Sequence, residues 1–585
     1  MDNAQNAARL PSAGHIELVG AEAADVRLSH NRLAFAALAF VLCFVVLAGR
    51  LVELTAFYAH GEPTTERVSA AGDRATERAD IVDRHGSLLA TNLATASLYA
   101  DPAVIADPVA AADALRTVLP DLDRSDLLDV LASNKRFVWI KRRLTPRQQY
   151  AVNSLGVPGL QFQHEERRVY PHGALAAHIL GHVDVEGEGR AGVERFFQDQ
   201  LIDRSRGRAP LALTVDMRVQ HVVHDELRAA MTEFKAVGAA GVVLDANTGE
   251  VISLVSLPDF DPNNPGDANK PGDSLQKRGF NRATFGVYEL GSVFKAFTVA
   301  MALDKGTVTI SDGYDATKPL RVSRFTIRDD HPKKRWLSVP EILIYSSNIG
   351  AAQMALDVGS HDLLRFLDKV GMLSRPGIEL PELGRPQLQS PWRDINTMTA
   401  AYGHGVAVSP MQMATGFAAL VNGGVMVRPT LLPLDGDLPV GTRVISQHTS
   451  MLMRKLLRLV VTEGTGGSAD VPGLLVGGKT GTAEKPSERG GYNRRSLLSS
   501  FIAAFPMNDP KYVVYAMLDE PKGNKKTHGF ASAGWTAAPT AGRIISRIAP
   551  LLDVRPVDEE APEIRQAMDL PSHSREPKLA SVSAD

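Results

Sequence analysis

The chain has 585 residues, 44% of them hydrophobic and 22% charged, with a formal net charge of −2. It is too long for one ordinary domain and apolar enough to bury a substantial core, which excludes a broadly disordered protein. The near-neutral balance gives no electrostatic case for nucleic acid, and Cys43, the only cysteine, excludes an intrachain disulfide framework or a cysteine-based metal site.

In chain order, a tail of residues 1–32 precedes an apolar run. Leu33 to Gly49 is 17 residues without a charge, set between Arg32 and Arg50 and continued by Leu51-Val52 before Glu53. This reaches the short end of what spans a bilayer, and Arg50 can snorkel to the interface. A cleaved signal peptide would have a shorter core nearer the start and a small-x-small cleavage site. A lipid-modified Cys43 would want small residues before it, and Leu42 is not small. The expectation is an uncleaved single transmembrane helix over 33–52.

Beyond it, Arg78 to Ala90 reads as strand, polar turn, strand. Helical segments follow around Ala110–Leu119 and Leu127–Leu131, then a strand-like Phe137–Ile140. Thr145-Pro146 has the form of an N-cap with proline at the first helical position. The basic residues Lys135, Arg136, Lys141, Arg142 and Arg143 read as a solvated face rather than a contact for anionic glycan or lipid. His178 and His182 are spaced i, i+4, but Gly181 intervenes and no third ligand is evident, so no metal is expected. Ala240–Asp245, a turn over Ala246–Gly249 and then Glu250–Ser253 make a hairpin.

Three polar clusters follow. In Gly291-Ser292-Val293-Phe294-Lys295, a serine and a lysine sit three apart, on one face of a helix, so the amine can reach the hydroxyl. Serine is a poor nucleophile until a base takes its proton. Val293, Phe294, Ala296, Phe297, Val299, Ala300, Met301 and Leu303 form the buried body of that helix, and Lys305-Gly306 ends it. Ser292 then lies near a helix N-terminus, which favours an oxyanion. To act as base Lys295 must be partly neutral, through desolvation and a second cation, Lys479. The second cluster is Ser346-Ser347-Asn348. The third, Lys479-Thr480-Gly481-Thr482, follows Leu474-Leu475-Val476 as a strand with an internal glycine, a frequent mark of close backbone approach. Each cluster alone reads equally as a helix-cap serine, a surface lysine or a turn glycine; only the ordered set has meaning. Residues 553–585, rich in Pro, Glu, Asp, Ser and Lys, read as a disordered tail.

The ordered set S-x-x-K, S-x-N, K-T-G resembles that of the penicillin-binding proteins. Arg78-Ala79-Asp80-Ile81-Val82-Asp83-Arg84-His85-Gly86 is similar to the Arg-Gly-x-Ile-x-Asp-Arg-x-Gly motif of class B members, with Ala79 in place of glycine, and Thr95 to Pro102 follows as in the cell-division members. Arg168-Val169-Tyr170-Pro171, Gly189 to Arg195, Thr214-Val215-Asp216 with Gln220, and Asn422-Gly423-Gly424 fit the same class. Two positions depart from it: Leu290 stands where relatives have proline, and His404 in Gly403-His404-Gly405 replaces glutamine.

The resemblance implies a multidomain α+β protein: cytoplasmic tail 1–32, anchor 33–52, non-catalytic pedestal 55–205, and transpeptidase domain 206–552 with an antiparallel sheet flanked by helices, as in β-lactamases. It implies Ser292 as nucleophile, Lys295 as its base, Ser346 as proton relay and Asn348 as orienter of the substrate amide. Lys479, Thr480 and Thr482 would hold the donor carboxylate, Gly481 would give a peptide clearance, and the N–H groups of Ser292 and Thr482 would form the oxyanion hole. The activity implied is septal D,D-transpeptidation of peptidoglycan stem peptides, trapped by β-lactams and needing no cofactor. A partner polymerase and other division proteins at the inner membrane are implied too, since no glycosyltransferase motif lies between Arg50 and Asp216. The alternatives are an elongation-type transpeptidase, a D,D-carboxypeptidase, or a non-enzymatic divisome scaffold; a β-lactamase would need a Glu-x-x-Leu-Asn after Asn348, which is absent.

Overall fold

The computed structural model describes residues 38, 41–48, 78–203, 205, 209–269, 277–322, 325–434, 436, 439–486 and 491–570. The chain divides into two units, Met1–Ala75 and Thr76–Asp585. In the first, residues 41–48 are helical and leave Val41, Leu42, Phe44, Val45, Val46 and Leu47 exposed. Among the described residues no helix is long and apolar enough to cross a membrane. The remainder of the 33–52 run lies outside them.

The second unit begins with a sheet built on a long strand, β1 (Leu88–Ala100), paired antiparallel with β2 (Val138–Leu144) and β3 (Leu160–Val169). Three short helices, α1 (Pro108–Val118), α2 (Arg124–Leu131) and α3 (Pro146–Asn153), cover it. Each starts where a side chain takes up free N–H groups: Asp107 for α1, Asp123 for α2, and for α3 a reciprocal Thr145–Gln148 capping box with Pro146 at the first helical position. Their apolar stripes meet β1 in a small core of Leu98, Leu115, Leu127, Leu131, Leu144 and Val152.

In the basic run Lys135 and Arg136 are exposed, as a solvated face would have them, while Lys141, Arg142 and Arg143 are half-buried. Lys141 pairs with Asp121, Arg142 with Glu165 and Arg136 with Asp101, because the flanking strands and loops set acids opposite the cations. Arg143 turns inward, its backbone in the left-handed region at φ 59°.

The larger sheet has five antiparallel strands: β4 (Gly238–Asp245), β5 (Val251–Leu257), β6 (Gly477–Pro486), β7 (Tyr492–Phe505) and β8 (Tyr512–Asp519). They lie in the order β6-β7-β8-β4-β5. Both faces are covered, and the alternation of side chains along each strand divides them between two cores. Val243, Ile252, Phe501, Ala503 and Val514 pack with helices α4 (Met217–Glu233) and α8 (Ala537–Ile548). Val242, Leu244, Leu254, Ile502 and Tyr515 face the opposite core, which holds α5 (Phe294–Asp304), α6 (Asn348–Val358) and α7 (Gln447–Thr462). The predicted hairpin is β4–β5, with Val242 opposite Leu254.

The C-terminal expectation is corrected in part. Residues 554–570 are not a disordered tail. Val554 and Leu570 are buried, a helix spans Pro562–Met568, and Glu559 accepts from Arg458 at 2.7 Å and from the Gly473 N–H at 2.7 Å. A few apolar side chains and one well-placed carboxylate dock a segment whose composition is otherwise that of a solvated chain. Residues 571–585 lie outside the described set.

Candidate active site

The three polar clusters come from separate elements and meet. Gly291–Val293 forms a single 3₁₀ turn that runs into α5, placing Ser292 at the start of that helix and Lys295 within its first turn. Lys295 is fully buried because α5 is apolar nearly all round. Its Nζ lies 2.8 Å from Ser292 Oγ, 2.6 Å from the Ser346 carbonyl oxygen and 3.0 Å from Ser346 Oγ. Ser346 sits in the left-handed region, φ 56°, rare for a residue with a side chain. That conformation turns its carbonyl and its hydroxyl toward the same amine. Lys479, also fully buried, reaches Ser346 Oγ from the other side at 3.0 Å.

Burial holds both amines below their ordinary range. Lys295 is pushed down to about 7 by desolvation, against the opposing pull of Asp330 and Asp329. Lys479 is lowered well below its usual value, first by burial and then by repulsion from Lys295. Burial is the first cause for both amines, and the repulsion between the two cations is shared by the pair.

Strand β6 supplies the third cluster along the site's edge. Gly481 packs against the Ser292 turn, where an added Cβ would meet Leu290 O at 2.5 Å, Ser500 Oγ at 2.7 Å and Val293 Cγ1 at 3.0 Å. The clearance therefore serves the chain's own backbone at Leu290. Thr482 Oγ1 accepts from the Ala533 N–H at 3.0 Å, which leaves its own proton for a ligand. Thr480 is buried, its hydroxyl 2.7 Å from that of Thr465. Asn348 begins α6 and its Nδ2 donates to the Arg328 carbonyl at 2.8 Å.

Further residues support these clusters. Asp329 anchors the start of α6, accepting from Ser347 Oγ at 2.8 Å and from the Ile349 N–H at 2.9 Å. Gly403 backs the Ser292 turn at φ 82°; a Cβ there would lie 2.2 Å from Gly291 O, so only glycine fits. Glu289 accepts from the Gly405 N–H at 2.9 Å and from Tyr492 Oη at 2.8 Å. His404 lies beside both Tyr402 and Tyr492, ring centroids 5.3 Å from each, and burial keeps it on the neutral side of its usual range. His178 and His182 both pack edge-on to Phe260.

A half-buried serine against a fully buried amine, a second hydroxyl between two lysines and an open strand edge form the geometry of a serine acyl-transferase. A profile for the penicillin binding protein transpeptidase domain matches residues 239–543, and one for the penicillin-binding protein dimerisation domain matches residues 73–204. The chain is 42% identical over 489 residues to the probable peptidoglycan D,D-transpeptidase FtsI of Caulobacter vibrioides, covering 82% of each protein. It is 30% identical over 561 residues to the probable peptidoglycan D,D-transpeptidase PenA of Neisseria meningitidis, covering 90% of this chain and 94% of that one. Among solved structures, penicillin-binding protein 3 of Mycobacterium tuberculosis complexed with aztreonam shares the fold, with TM-score 0.63 and 23% identity over 82% of this chain and 97% of that chain. The chain belongs to the penicillin-binding protein transpeptidase family, in its class B form with an N-terminal dimerisation-type domain.

Proposed function

We propose that Ser292 is the nucleophile of a peptidoglycan D,D-transpeptidase acting in septal wall synthesis, the observation carrying this being its 2.8 Å contact with the buried Lys295 amine. The protein is a serine-type D-Ala-D-Ala transpeptidase of the division-specific kind, and a target of β-lactams. Neutral Lys295 takes the Ser292 hydroxyl proton as Oγ bonds to the penultimate D-Ala carbonyl carbon. The N–H groups of Ser292 and Thr482 hold the resulting oxyanion. The proton passes by way of Ser346 to the amine of the terminal D-Ala as the C–N bond breaks and that residue leaves. An acceptor amine on a neighbouring stem then attacks the ester, loses a proton to the same Lys295–Ser346 pair and forms the cross-link, restoring Ser292.

In this reading Lys479 and Thr482 hold the donor's terminal carboxylate, with Thr480 fixed behind them by Thr465. Asn348 orients the donor amide. Gly481 lets β6 lie close to the Ser292 turn, leaving the strand's edge for an added substrate strand. Residues 55–205 act as pedestal and 206–552 as the catalytic domain. Residues 33–52 anchor the chain in the inner membrane, with the catalytic part on the periplasmic side beside a glycan polymerase and other division proteins. The experiment is to supply the purified full chain with a pentapeptide-stem donor and an amine acceptor. Dimeric cross-linked product with equimolar D-Ala is expected. D-Ala release without dimers would make it a carboxypeptidase, and neither product would leave the scaffold reading.

A further inference from the structure

A cavity of about 280 Å³ lies where the pedestal strands meet the catalytic domain. Arg143 on the pedestal side, Arg167 and Arg168 at the end of β3, and His182 and Tyr170 in the following segment line it, and Asn263 closes it from the catalytic domain. Asn263 is fixed there by two bonds to Tyr170, its Oδ1 accepting from the Tyr170 N–H at 3.0 Å and its Nδ2 donating to the Tyr170 carbonyl at 2.9 Å.

The lining is cationic and its donors are not all used. Arg143 Nε and Arg168 Nη2 are buried donors, and His182 Nδ1 a buried ring nitrogen, with no hydrogen-bond partner among the described residues. Arg168 is itself 7% exposed, and its other nitrogens are engaged, Nε with Glu194 at 2.7 Å and Nη1 with Asn92 at 3.1 Å. Glu194 also takes Arg78, so one carboxylate faces two buried guanidiniums and a positive charge is left over. The one acid in the lining, Asp184, is already occupied by Arg190 and by the N–H groups of Glu186 and Glu188. Unpartnered buried donors and uncompensated positive charge around a shared hollow make a receptor for an anion.

We propose that this cavity is an oxyanion-binding site, taking a phosphate- or carboxylate-bearing group across the junction of the two domains. The inference stands apart from the acyl-transfer reading, since none of these residues belongs to the Ser292 site. A planar guanidinium fork suits the oxygens of either group, and His182 adds a donor in its Nδ1–H tautomer. A ligand bridging Arg143 and Arg168 on the pedestal and Asn263 on the catalytic domain would fasten one domain to the other.

The test is thermal unfolding of the full chain in detergent, with sodium pyrophosphate or with a short peptide bearing two carboxylates, each against sodium chloride at matched ionic strength. Arg143→Gln and Arg167→Gln are run beside the wild type, each with its own melting temperature in chloride as baseline. A rise of about 2 °C or more in wild type that both variants lose is expected, and the arm that produces it identifies phosphate or carboxylate as the ligand chemistry. Broadening of the pyrophosphate phosphorus resonance by wild type and not by Arg167→Gln gives a second readout independent of stability. No rise in either arm, or a rise that both variants retain, would overturn the proposal.

Discussion

Ser346 Oγ stands 3.0 Å from each of two fully buried amines, Lys295 and Lys479. Two full positive charges so close together in a desolvated site repel strongly, so the free enzyme does not hold both, and burial favours the neutral form of Lys295, the one that can accept a proton. An arriving donor carboxylate beside Lys479 then favours charge on that residue. With Lys295 pushed down to about 7, the neutral fraction falls below that pH and saturates above it. The acylation rate is therefore expected to rise about tenfold between roughly pH 6 and pH 8. Lys295→Arg, which cannot give up its proton, should lose acylation by about a hundredfold or more across that range. Stopped-flow reaction with a chromogenic β-lactam measures both; a flat profile with near wild-type rate in the arginine variant would remove Lys295 as the base. At this scale the sequence was readily legible, because the i, i+3 spacing of Ser292 and Lys295 is geometry fixed by the helix. The left-handed backbone of Ser346 and the Thr465 partner of Thr480 were not, since both depend on tertiary packing that no local spacing reports.

Among the elements, Gln220 shows how helix α4 is held to the larger sheet. Its Nε2 donates to the carbonyls of Leu175 and Leu254, each at 2.8 Å, and its Oε1 accepts from Ser253 Oγ at 2.7 Å and from the Leu254 N–H at 3.0 Å. One carboxamide thus ties α4 to β5 and to the segment around Leu175. Gln220→Ala leaves several of these buried groups without partners and is expected to cost at least about 2 kcal/mol, read as a lower urea midpoint with an unchanged slope. An unchanged midpoint would mean that the surrounding groups find other partners. The hairpin β4–β5, the cap at Thr145 and the Ser292 helix followed from local pattern. The sheet order did not: β8 pairs onto β4 across more than two hundred residues, and β7 and then β6 extend the sheet from it. The docking of residues 554–570 escaped too, because Val554, Glu559 and Leu570 are isolated signals in a polar segment.

For the molecule as a whole, the Arg78–Glu194–Arg168 triad links three motifs widely separated in the chain. Arg78 Nε contacts Glu194 at 2.5 Å and Arg168 Nε contacts it at 2.7 Å, with all three side chains nearly inaccessible. Glu194→Gln would leave two buried guanidiniums without a counterion, at an expected cost of about 3–5 kcal/mol. Limited proteolysis should then cut between residues 170 and 215 while wild type stays intact; equal resistance would show that the triad is dispensable. The motifs at 78–86, 168–171 and 189–195 were visible as a family pattern, but their convergence on one carboxylate is a property of the fold. The central claim concerns Ser292, and mass spectrometry of the full chain after exposure to a penicillin tests it most directly. An adduct of the antibiotic's mass on the peptide containing Ser292, absent from Ser292→Ala, is the result predicted. An adduct on another residue, or an unmodified wild type that is demonstrably folded, would contradict it.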